Sequence, residues 1–60
     1  MNVGDDIERE ALDMIAQYGN AAARIARLRA EVAEKNIGKQ RLAQAWRDIA
    51  DAIDRLSRNP

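Results

Sequence analysis

Apolar side chains recur from Ile7 to Val32 at alternating steps of four and three: Ile7, Ala11, Met14, Tyr18, Ala21, Ile25, Leu28, Val32. An α-helix turns every 3.6 residues, so this spacing predicts a helix with a heptad, coiled-coil-like stripe along one side. A second stripe, Leu42, Trp46, Ile49, Ile53 and Leu56, repeats at four, three, four, three. Ala43, Ala45, Ala50 and Ala52 widen it with small side chains that permit close helix approach. Asn36-Ile37-Gly38 interrupts the pattern between the two stripes. Asn and Gly accept the left-handed conformation that closes a helix, and three residues can join antiparallel neighbours. The pattern predicts an all-α protein, an antiparallel two-helix hairpin. Its first helix covers about 5–35, its turn 36–38 and its second helix about 39–57, in a single domain over 1–60 with 1–4 and 59–60 frayed.

Local signals refine this outline. Asp5 as N-cap with Glu8 three residues on has the form of a capping box, and Asp6 and Glu10 add negative charge beside the positive end of the helix dipole. Gly19-Asn20 is a competent helix stop, which leaves two readings: one helix to about Lys35, or two helices broken at Gly19. A restart usually shifts the phase of an apolar stripe, whereas Tyr18, Ala21 and Ile25 keep it. The expectation is therefore a continuous helix with a mild bend at Gly19, since an interior Gly costs only about 1 kcal/mol against Ala. Ile37 is expected to fold back over the hairpin end. Asp51 with Arg55 and Asp54 with Arg58 are spaced for i,i+4 ion pairs.

Composition narrows the function classes. A chain of 60 residues buries only about 60% of its unfolded surface and commonly needs a staple or a partner. There is no Cys and no His, which excludes disulfides, thiolate or imidazole metal sites and His-based acid–base chemistry. No nucleophile–base pair and no Gly-rich phosphate loop is present, so neither an enzyme nor a cofactor is expected. The formal net charge is zero, which gives no global field for nucleic acid or anionic lipid. No apolar run approaches the roughly 20 residues of a membrane span, and no signal-peptide pattern opens the chain; the expectation is a cytoplasmic protein.

The predicted arms differ in length, about 45 Å against about 30 Å at 1.5 Å per residue. Ile7, Ala11, Leu12, Met14 and Ile15 would overhang the second helix with their apolar face in water. A homodimer forming a four-helix bundle would cover them, making these five the expected self-association residues. Charge agrees with that arrangement: residues 5–13 hold five acids and one base, and residues 24–47 hold seven bases and two acids. An antiparallel partner would bring the two signs together.

Arg24, Arg27, Lys39 and Arg41 are the candidates for phosphate contact in RNA or DNA, within a wider basic set that includes Arg29, Lys35 and Arg47. On a neutral chain a solvated helix face paired with Glu31 and Glu34 explains them more simply. Tyr18 and Trp46 could stack on bases, but both occupy heptad positions and are expected in the core. Asp48, Asp51 and Asp54 recur every three residues, yet interleaved Arg47 and Arg55 neutralise them and no His or Cys supports a metal site.

The segments 11–19, ALDMIAQYG, and 46–53, WRDIADAI, resemble motifs of small uncharacterised bacterial helical-hairpin proteins, which carry Tyr-Gly or His-Gly in the first helix. The resemblance spans most of the chain and implies a fold without an assigned activity. Those sequences often have Gly-Asp at the turn, where this one has Gly38-Lys39 and so lacks an acidic cap. The design is also similar, in architecture alone, to the plasmid copy-control RNA-binding hairpin that dimerises into a four-helix bundle. The leading expectation is a self-associating protein-interaction or regulatory module with a homodimeric or other protein partner. The alternative is an RNA- or DNA-binding regulator using the basic residues near the turn.

Overall fold

The computed structural model describes residues 3–58. Met1, Asn2, Asn59 and Pro60, which belong to the ends read as frayed and include the Asn-Pro stop, lie outside the described residues, whereas Val3 and Gly4, also read as frayed, open α1. The chain is helical, with α1 over Val3–Tyr18, a 3-10 turn over Gly19–Ala21, α2 over Ala22–Glu34 and α3 over Gln40–Arg58. No strand occurs among the described residues. Because α1 already begins at Val3, Asp5 and Asp6 sit inside its first turn, near the dipole's positive end, and Asp5 is not the N-cap.

The antiparallel hairpin is formed by α2 and α3. Lys35 N–H donates to Glu31 O at 3.3 Å and Asn36 N–H to Ala33 O at 3.1 Å, which closes α2. The Asn36 amide donates to Val32 O at 3.1 Å, satisfying one of the carbonyls left over at a helix end. Gly38 supplies the reversal at φ +87°, and Lys39 N–H returns to Asn36 O at 3.2 Å. Ile37 does not fold back over the hairpin end. It is fully exposed at the tip of the turn.

The expected continuous first helix is corrected at Gly19. That residue adopts φ +55°, the left-handed conformation that ends α1. A single helix from Val3 to Glu34 would be about 48 Å long, longer than the 38 Å greatest dimension of the molecule. Instead α1 leaves the axis of α2 and packs chiefly on α3. The reason is burial. Each Met or Ile side chain taken out of water contributes about 1.5–3 kcal/mol, more than a short break in the helical hydrogen-bond ladder costs. Folding back within one chain also needs no second molecule.

The core contains Ala11 and Met14 of α1, Ala22 and Ala26 of α2, and Ile49, Ala50, Ala52 and Ile53 of α3. Ile7, Ile15, Ile25, Trp46 and Leu56 pack around it, partly buried. The residues of α2 that are buried are Ala22, Ala26, Ala30 and Ala33, so the predicted stripe of Ala21, Ile25, Leu28 and Val32 does not form the α2–α3 seam. Alanine lets the two backbones approach most closely, and the larger side chains are displaced to one flank of the hairpin. On that flank α1 supplies the second layer that two helices alone lack. Two ion pairs cross from α2 to α3, Arg27 with Asp54 and Glu34 with Arg47. Asp54 thus serves Arg27 and not the expected Arg58, and Asp51–Arg55 is not paired among the described residues.

Candidate functional site

The apolar flank of the hairpin has a covered half and an open half. Over the half remote from the turn, α1 sets Ala11 and Met14 into one cluster with Ile49 and Ile53. Toward the turn α1 stays on the α3 side, where Ile7 comes near Leu42 and Trp46, and leaves the α2 side of the flank uncovered. There Leu28, Val32 and Leu42 remain 52%, 62% and 47% exposed. With Ile25, Ala33 and Trp46 they line an open groove of about 440 Å³ between α2 and α3, and Arg29, Asn36 and Lys39 complete its rim. A second groove, about 730 Å³, runs between the start of α1 and the start of α3 past Ile7, Ala45 and Ile49. Leu42 and Trp46 line both, so the two grooves form one apolar strip with Trp46 at its centre.

Arg29 ties this strip to the three helices. Its guanidinium carbon lies 5.0 Å from the Trp46 ring centroid and 5.8 Å from that of Tyr18, and one of its nitrogens is 3.4 Å from the Tyr18 hydroxyl. A cation over an aromatic face is attracted by the ring quadrupole. Neither aromatic ring is the fully buried core residue that its heptad position suggested: Tyr18 is exposed and Trp46 half-buried. Together they bracket an arginine, which their sequence spacing gives no way to foresee.

The five residues expected to mediate self-association are divided by the fold. Ala11 and Met14 are buried in the chain's own core, and Ile7 and Ile15 pack against it. Only Leu12 of the set stays open, at 54% exposure. The overhang that motivated a partner is therefore satisfied internally by the turn at Gly19. The charge complementarity expected between two chains also occurs within one, since Asp6 and Glu10 of α1 line the same groove as Arg41 of α3.

The basic candidates are not gathered into one surface. Arg27 is engaged by Asp54. Arg24 lies in the first turn of α2, at the end of the hairpin opposite Lys39 and Arg41. All four are exposed. Among the described residues no group of three acidic side chains comes together in a way that could hold a metal ion, Asp48, Asp51 and Asp54 included. No described helix is long and apolar enough to cross a membrane.

Sequence reasoning assigned Leu28, Val32 and Leu42 to the core and so missed the open face. A usable signal was present in the second, out-of-phase stripe Ala22, Ala26, Ala30, Ala33. Two stripes on one helix imply two packed sides, and the stripe of small residues marks the closer one. No family model, no curated protein and no solved structure matches this chain, so its functional reading rests on the residues themselves.

Proposed function

We propose that this chain is a small non-enzymatic helical protein-interaction module whose contact face is the open turn half of the hairpin. The observation that carries the reading is the row of large aliphatic side chains, Leu28, Val32 and Leu42, left about half exposed beside Trp46. Contiguous exposed apolar surface rimmed by polar groups is characteristic of interaction sites. The groove between α2 and α3 suits the apolar stripe of a partner helix, and Arg29 and Lys39 at its rim would favour acidic residues flanking that stripe. Lack of Cys and His supports the non-enzymatic part of the proposal. Self-association is a separate reading that does not use this face, because four of its five expected residues are taken up by the chain's own core.

A photo-reactive amino acid placed at Val32 tests the face in the cell from which the chain comes. Adducts to protein from residue 32, absent when the same group replaces exposed Gln17 of α1, are the expected result. Equal labelling from both sites would refute the face. Nucleic-acid adducts from residue 32 would instead move the assignment to neighbouring Lys39 and Arg41.

A further inference from the structure

We infer that Gly19 is a two-way hinge, and that a second copy of this chain can take the place of α1 by exchanging that helix. The inference does not depend on the open face proposed above. Its first support is the heptad phase. Ile7, Ala11, Met14, Tyr18, Ala21, Ile25, Leu28 and Val32 keep one unbroken register across a point where the folded chain turns away. A bend by itself gives no reason for such a register, whereas a helix running straight from α1 into α2 would carry it as one continuous stripe.

The second support is the hinge itself. It is a single 3-10 turn, Gly19–Ala21, with no side-chain cap at the start of α2. A Cβ added to Gly19, which stands at φ +55°, would meet nothing within 4 Å, so only backbone conformation distinguishes its two states. Short hinges of this kind favour domain swapping.

The third support is topological. α1 packs mainly on α3 and little on α2. Ile7 lies by Leu42 and Trp46, and Met14 belongs to the cluster of Ile49 and Ile53, so α1 runs in the same general sense as α3. If Gly19 becomes helical, α1 extends beyond the hairpin along the line of α2. Two such chains related by a two-fold axis at their hinge ends place each α1 on the partner's α3, again in the same sense. Every α1–α3 contact is then recovered, including the approach of Asp6 and Glu10 to Arg41. The product is an elongated dimer of two three-helix units, each completed by the other chain's α1.

The test is Gly19→Ala in the full chain, studied by sedimentation equilibrium and circular dichroism. An L-residue at positive φ disfavours the closed form, and Ala disfavours helix less than Gly does. Between two folded forms the left-handed penalty is the difference that counts, a factor of about 5–30 per hinge, so with two hinges the dimer Kd should fall roughly 30- to 10³-fold. The synthetic chain with D-alanine at residue 19 should do the opposite and remain monomeric, because a D-residue prefers positive φ. A helical, dimeric Gly19→Ala protein beside a monomeric D-alanine protein is the expected result. A monomeric Gly19→Ala protein, or dimers of equal strength in both variants, would overturn the hinge. An unfolded Gly19→Ala chain would overturn it as well, since the inference requires a folded form that an L-residue at the hinge can occupy. None of these outcomes bears on labelling from residue 32, so the two readings fail separately.

Discussion

Met14 shows at the scale of one residue what the fold-back of α1 contributes. It is buried against Ile49 and Ile53, while Leu12, two positions away on the same helix, is more than half exposed. Met14→Ala should cost about 2–4 kcal/mol through lost burial and a residual cavity, and Leu12→Ala about 0.5 kcal/mol or less. Urea unfolding of the two variants measures both, and equal effects would mean that α1 is not docked in this register. Ala26 makes the complementary point. It is fully buried where α2 meets α3, so Ala26→Leu should destabilise by about 1–3 kcal/mol by forcing the helices apart. The apolar pattern placed Met14 on an apolar stripe but assigned it to a second chain, whereas it is buried in the chain's own core. The pattern could not separate Met14 from Leu28, because a heptad stripe records which side of a helix is apolar and not how closely a neighbour approaches it.

At the scale of elements, the two glycines with positive φ divide the chain into its helices. Gly38 was legible: an interrupted stripe surrounds it, and the turn and the second helix fall within about a residue of the expected bounds. Gly38→Ala should cost about 1–2 kcal/mol, entirely from φ +87°, since no atom lies within 4 Å of the added methyl. Thermal unfolding reads the effect. Gly19 was legible as a stop, but the unbroken phase around it favoured continuity. Burial of α1 against α3 decided the matter, and that gain exists only once α3 is in place. Arg29 clasps the junction afterwards. Removing it as Arg29→Ala should lower stability by about 0.5–1 kcal/mol and shift Trp46 emission to longer wavelength as water reaches the ring. Unchanged emission would show that the guanidinium does not cover the indole.

For the whole molecule, the decisive fact is that one short helix covers only part of the apolar flank of the hairpin. The two interhelix ion pairs add little to stability, about 0.2–1 kcal/mol each at exposed sites, so the fold rests on burial. The sequence by itself determined the helical class, the position of the hairpin turn and the presence of more apolar surface than two helices can hide. These are local properties, carried by helix propensity, by the 3.6-residue period and by the residues that tolerate positive φ. Only the tertiary structure decided which surplus is hidden. Alanine contacts drew α2 and α3 together on their small-residue sides and turned Leu28, Val32 and Leu42 outward, and the hinge at Gly19 brought Ala11 and Met14 in. Packing distances between helices are not encoded in the period of either one, and for that reason the open face appears only when all three helices are assembled.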